Sequence, residues 1–98
     1  MYNILIEERA NTEIDHASEY YYSLPINSKK AVSDFLNEIH QKINFLKINP
    51  YFQIKVKKYR SIPLRKFPFI IIFEIEEPSK TVRILSIFNT YQNTDKYP

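Results

Sequence analysis

Glycine is absent from this 98-residue sequence, although about 7% is usual in globular chains. Walker and dinucleotide-binding loops need glycine where the backbone closes on a phosphate, so those nucleotide-binding classes are excluded. A coding sequence biased towards A and T accounts for the missing glycine and for the many Ile, Lys and Asn residues, which cautions against assigning a role to every lysine. Cysteine is absent too. That excludes disulfides, thiolate nucleophiles and thiolate metal sites, and it is compatible with a reducing cytoplasm. Long apolar segments are also missing: the longest run, Phe67 to Phe73, is far too short to span a bilayer, and Met1 to Ile6 lacks the basic flank of a leader. The expectation is a cytoplasmic protein with no membrane partner.

What the sequence does contain is enough to fold. It is 44% hydrophobic with 7 Phe and 8 Tyr, spaced regularly, and its length fits one domain, 1–98, that buries approaching two-thirds of its chain surface. Net charge is only +3, but unevenly placed. Residues 1–24 carry Glu7, Glu8, Glu13, Asp15 and Glu19 against Arg9 alone, whereas 25–68 carry ten bases against Asp34 and Glu38. From Tyr51 to Pro68 there are six bases and no acid, so an anionic partner should meet the middle of the chain.

Periodicity supplies the elements. Tyr2 to Ile6 reads as a short strand. Ala10, Ile14, Ala17, Tyr21 and Leu24 form one helical stripe, with Glu13, Asp15, His16 and Glu19 largely outside it, and Pro25 ends the helix. Asn27 or Ser28 can cap a second helix whose Val32, Phe35, Leu36, Ile39, Ile43 and Leu46 form a broad apolar face up to Asn49-Pro50. The short link makes the two helices an antiparallel hairpin. Beyond Pro50 the period becomes two. Ile54, Val56, Ile62 and Leu64 share parity, and Lys58 and Arg60 interrupt it, which suggests a bend or bulge. Phe69 to Glu76 reads as a central strand covered on both faces, Glu77-Pro78-Ser79-Lys80 as a hairpin turn, and Thr81 to Phe88 as the returning strand. The fold class is therefore α+β: a short N-terminal strand, a helical hairpin, then an antiparallel sheet of three C-terminal strands.

The chemistry-bearing residues are sparse. His16 and His40 lie on different helices without a second ligand at metal spacing, so no metal or other cofactor is expected. The pairs Asp15 with Glu19 and Glu74 with Glu76 read as solvated surface rather than acid/base dyads. No serine stands in a nucleophile turn. Of Tyr20-Tyr21-Tyr22, Tyr21 belongs to the core stripe, and packing explains the triplet better than base stacking. What remains is Lys55, Lys57, Lys58, Arg60, Arg65 and Lys66 on or near one strand, Arg83 on the last, and Tyr91, Gln92 and Tyr97 after it. Cations beside rings suit RNA, since cations hold phosphates and rings stack splayed bases. A solvated basic face, or a docking surface for an acidic protein, fits the composition equally.

The order of these pieces resembles the RelE/ParE superfamily of toxins from type II toxin-antitoxin pairs. The resemblance runs over nearly the whole chain: Tyr20-Tyr21, the Phe35, Ile39, Ile43, Leu46 stripe up to Asn49-Pro50, Tyr59-Arg60 before Leu64, Phe67-Pro68-Phe69, the run Ile70 to Phe73, and the strand Val82 to Phe88. It implies a toxin neutralised by a cognate antitoxin that wraps it. RelE-like members cleave mRNA on the ribosome without a metal, and ParE-like members poison DNA gyrase by binding. For cleavage the resemblance implies Arg60, Tyr91, Gln92 and Tyr97 as catalytic positions and Lys55, Lys57, Lys58, Arg65, Lys66 and Arg83 as the RNA-facing cations. The chain's end departs from the pattern: Asn89 stands where many members have His, Gln92 where they have Arg, and Thr94 where they have Pro. No arginine follows Arg83. The intact basic strand places ribosome-dependent mRNA cleavage slightly ahead of gyrase inhibition, and the departures favour a non-toxic antitoxin-binding protein.

Overall fold

The computed structural model describes residues 1–52, 55–56 and 58–91. Strand β1 (Asn3–Ile6) leads into helices α1 (Glu8–Tyr22) and α2 (Ser28–Ile48). A 3-10 turn (Pro50–Phe52) follows, then strands β2 (Lys55–Val56), β3 (Tyr59–Pro63), β4 (Phe69–Glu76) and β5 (Thr81–Asn89). All five strands join one sheet in the order β1-β5-β4-β3-β2. The antiparallel β3, β4 and β5 are the three expected C-terminal strands. β1 adds to the outer side of β5 in parallel, with Asn3 beside Thr81 and Ile6 beside Ile84.

Both helices start and stop where local chemistry directs. Glu8 places an acid in the first turn of α1, where the helix dipole favours it. At its end the Ser23 hydroxyl donates to the Tyr20 carbonyl at 2.6 Å, just ahead of Pro25. Asn27 occupies the N-cap of α2 in the left-handed region, φ 58°, a conformation asparagine tolerates. Its side chain makes no capping bond; its carbonyl accepts the Ala31 N–H at 2.9 Å. Asn49-Pro50 ends α2, since proline disfavours helical dihedrals in the residue before it.

The core lies between this hairpin and one face of the sheet. Phe35, Ile39, Ile43 and Leu46 of α2 and Ala10 and Ala17 of α1 meet Phe69, Ile71, Phe73, Val82, Ile84 and Ile87. The alanines let α1 approach β5 closely. At one end the rings of Tyr21, Phe35, Phe67 and Phe69 interlock with centroids 5.1–5.4 Å apart, close to edge-to-face spacing. Ile72, on the opposite face of β4, is buried as well, as expected for a central strand.

The irregularity expected at Lys58 and Arg60 is a chain reversal. β2 and β3 pair antiparallel, Val56 with Tyr59 and Lys55 with Arg60, so the broken parity marks a tight hairpin rather than a bulge in one strand. A bulge does occur, but on β5. The register passes from Phe73 beside Ile84 to Ile72 beside Ser86, leaving Leu85 as the extra residue. Core-facing positions accordingly shift from Val82 and Ile84 to Ile87.

Candidate functional site

The cations singled out in the sequence occupy three separate places. At the β2–β3 hairpin, Lys58 is exposed with its amine 5.3 Å from the centroid of the Tyr59 ring. The Arg60 guanidinium lies 5.0 Å from the Tyr51 ring. Lys55 pairs its backbone with Arg60. At the other end of β3, Arg65 and Lys66 stand exposed in the β3–β4 loop. Their backbone N–H groups both donate to the Glu38 carboxylate, Lys66 at 3.1 Å. Glu38 is buried on α2, so two amides rather than water satisfy its charge.

Arg83 is the third place. It stands beside Glu74 on β4, whereas Arg60 stands beside Phe73. Adjacent residues of a strand point to opposite faces, so Arg60 is on the helix-covered face and Arg83 on the other. The Arg83 guanidinium donates to Glu7 and also faces Glu74 at 3.7 Å and Glu76 at 4.0 Å. Its bond to the Glu7 carboxylate, reinforced by the charges of Glu7, Glu76 and Glu74, raises its pKa against the opposing effect of desolvation. The expected RNA-facing cation of β5 is thus held inside a carboxylate cluster.

Of the expected C-terminal groups, Tyr91 is exposed, and its N–H donates to Asn89 Oδ1 at 2.9 Å in an Asx turn. It rims an open groove of about 480 Å³ between α1 and the end of β5, together with His16, Tyr20, Tyr21, Phe69 and Ile87. Burial pushes the Tyr21 hydroxyl upward in pKa, with Tyr20 and Tyr91 adding to the effect. Lys57, Gln92 and Tyr97 lie outside the described residues. Among the described residues no cluster of acidic or histidine side chains could hold a metal, and no helix is long and apolar enough to cross a membrane.

The structure adds a cluster that sequence reasoning missed. Glu77, in the β4–β5 turn, accepts from the Tyr2 hydroxyl at 3.0 Å and the Tyr51 hydroxyl at 3.4 Å. The two rings meet edge to face at 6.2 Å, and the Lys80 amine lies 5.7 Å from the Tyr2 ring. Tyr51 therefore links Glu77 to Arg60. No local pattern signals this, because the contributing residues come from both ends of the fold. The Tyr2 hydroxyl is pushed up to about 12, foremost by its bond to the Glu77 carboxylate.

The family model for the ParE toxin of the parDE type II toxin-antitoxin system matches residues 4–93. The chain belongs to the ParE toxin family. It is the ParE-type toxin of a type II toxin-antitoxin system, and solved structures agree on the fold. The chromosomal ParDE system of P. aeruginosa superposes with a TM-score of 0.75 at 22% identity, over 91% of this ParE chain and 96% of that one. The intact E. coli RelBE complex gives 0.59 at 12% identity, over 94% and 100%. The isolated E. coli RelE toxin also gives 0.59 at 12%, over 97% and 90%. Among curated proteins none matches significantly.

Proposed function

We propose that this ParE-type protein arrests growth by binding DNA gyrase, using the basic β2–β3 hairpin as its contact surface, and that a cognate antitoxin neutralises it. This reading sets gyrase binding ahead of mRNA cleavage, which the sequence alone placed slightly first. The observation that carries this reading is the separation of Arg60 from Arg83 onto opposite faces, with Arg83 turned into Glu7, Glu74 and Glu76. Cleavage through a 2′-hydroxyl needs cations converging on one phosphate as charge develops. These two do not converge, and no arginine follows Arg83 in the sequence. Inhibition by binding needs only a complementary surface, and the ParE family match over residues 4–93 supports it. Lys58 and Arg60 on this hairpin supply positive charge for an acidic or phosphate-bearing site on the target.

The test is supercoiling by purified gyrase run beside mRNA cutting on translating ribosomes, with wild type, Lys58→Glu and Arg60→Ala. Inhibited supercoiling without cutting is expected, weakened by both substitutions and relieved by the antitoxin. Cutting without gyrase inhibition would overturn the reading. Failure in both assays, with antitoxin binding retained, would leave a binding-only protein.

A further inference from the structure

We infer that Tyr51 is a positioning residue of Arg60, and that Glu77 fixes Tyr51 for that task. The inference rests on the reading that Arg60 contacts the target, and it names what holds the guanidinium there. Four segments converge: the start of β1 with Tyr2, the 3-10 turn with Tyr51, β3 with Arg60, and the β4–β5 turn with Glu77 and Lys80. A long arginine side chain at a sheet margin loses much rotamer freedom when it binds, which weakens binding unless the side chain is already ordered. A ring face under the guanidinium supplies that order.

The ring is itself constrained from three directions. Pro50 is buried and anchors the turn that carries Tyr51. The Tyr51 hydroxyl donates to Glu77, and its ring abuts that of Tyr2, whose own hydroxyl donates to the same carboxylate. Glu77 thus couples the β4–β5 turn to the presentation of a cation on β3, two strands across the sheet from β5.

Two measurements on the full chain test this. Nuclear magnetic resonance of the Arg60 Nε–H should show an upfield ring-current shift in wild type. Tyr51→Phe keeps the ring but loses its bond to Glu77, so it should shrink the shift without abolishing it, and Tyr51→Leu should lose it. In the gyrase assay, Tyr51→Leu should raise the half-inhibitory concentration about tenfold. Tyr51→Phe should fall between wild type and Tyr51→Leu, and Tyr51→Leu combined with Arg60→Ala should be no weaker than Arg60→Ala alone. A merely structural tyrosine would instead give additive losses. An absent ring-current shift, or additivity of the two substitutions, would overturn the inference. Full potency of Arg60→Ala with the shift intact would show that the Arg60 contact itself fails, and the positioning role would fall with it.

Discussion

Glu13 of α1 accepts the backbone N–H of Ile87 on β5 at 3.0 Å, and the same oxygen accepts the Ser86 hydroxyl at 2.8 Å. β1 accompanies β5 only from Thr81 to Ile84, so among the described residues no strand lies beside the outer edge of β5 beyond that point. A helix carboxylate takes over where the strand ends. Glu13→Ala would leave a strand amide without its acceptor, with an expected loss of about 1–3 kcal/mol in denaturant unfolding. An unchanged midpoint would show that water replaces the carboxylate at no cost.

Phe73 is fully buried opposite α2, in the same cluster as Phe35, Ile39 and Ile43. Its ring has no route to collapse if removed, because β4 is flanked by β3 and β5. Phe73→Ala should destabilise the protein by about 3–5 kcal/mol. A change below roughly 1 kcal/mol would show that the ring contributes little packing.

The helices were the most legible part of the sequence, because 3.6-residue periodicity is a local signal. The stripe from Phe35 to Leu46 is buried as read, and Ala10 and Ala17 with it. Glu13 and Glu38 were harder. The periodicity leaves Glu13 largely outside the stripe, yet it stands three residues after Ala10 and four before Ala17, and Glu38 stands three after Phe35, both at positions that face the core. An acid on an apolar stripe was the available sign that each serves a backbone amide. The parallel pairing of β1 with β5, and the Tyr2, Tyr51 and Glu77 cluster, join segments far apart in the chain. No local periodicity encodes such meetings. The β5 bulge at Leu85 was hidden for another reason: it lies opposite an all-apolar stretch of β4 whose polarity does not alternate.

Tyr2 gives a pH-dependent test of the cluster. Its hydroxyl pKa is raised from 10.0 to about 12, chiefly by donating to Glu77, with desolvation and the Glu77 charge adding. The folded state therefore favours the protonated phenol. Its contribution to stability is complete below pH 10 and is lost as pH rises through about 12. Tyr2→Phe removes the contribution, so its unfolding midpoint should fall less steeply between those pH values than that of wild type. Equal slopes would show that Tyr2 titrates at its ordinary value.

Glu38 carries the sharpest prediction about the β3–β4 loop. Its carboxylate receives the N–H groups of both Arg65 and Lys66, so it fastens the loop onto α2 and thereby fixes where the exposed Arg65 and Lys66 side chains stand. Removing it takes away both acceptors at once while leaving a gap against the core. Glu38→Ala should cost at least about 1.5–3 kcal/mol, the range for a hydrogen bond to a charged partner. Glu38→Gln retains one carbonyl oxygen and should keep one of the two bonds, giving a smaller loss. Amide hydrogen exchange separates these outcomes residue by residue. The Arg65 and Lys66 amides should be protected in wild type, one of them should speed up in Glu38→Gln, and both should in Glu38→Ala, while the β4 amides stay slow. Fast exchange of both amides in the wild-type protein would mean that the loop opens freely despite Glu38, and that the carboxylate does not hold it.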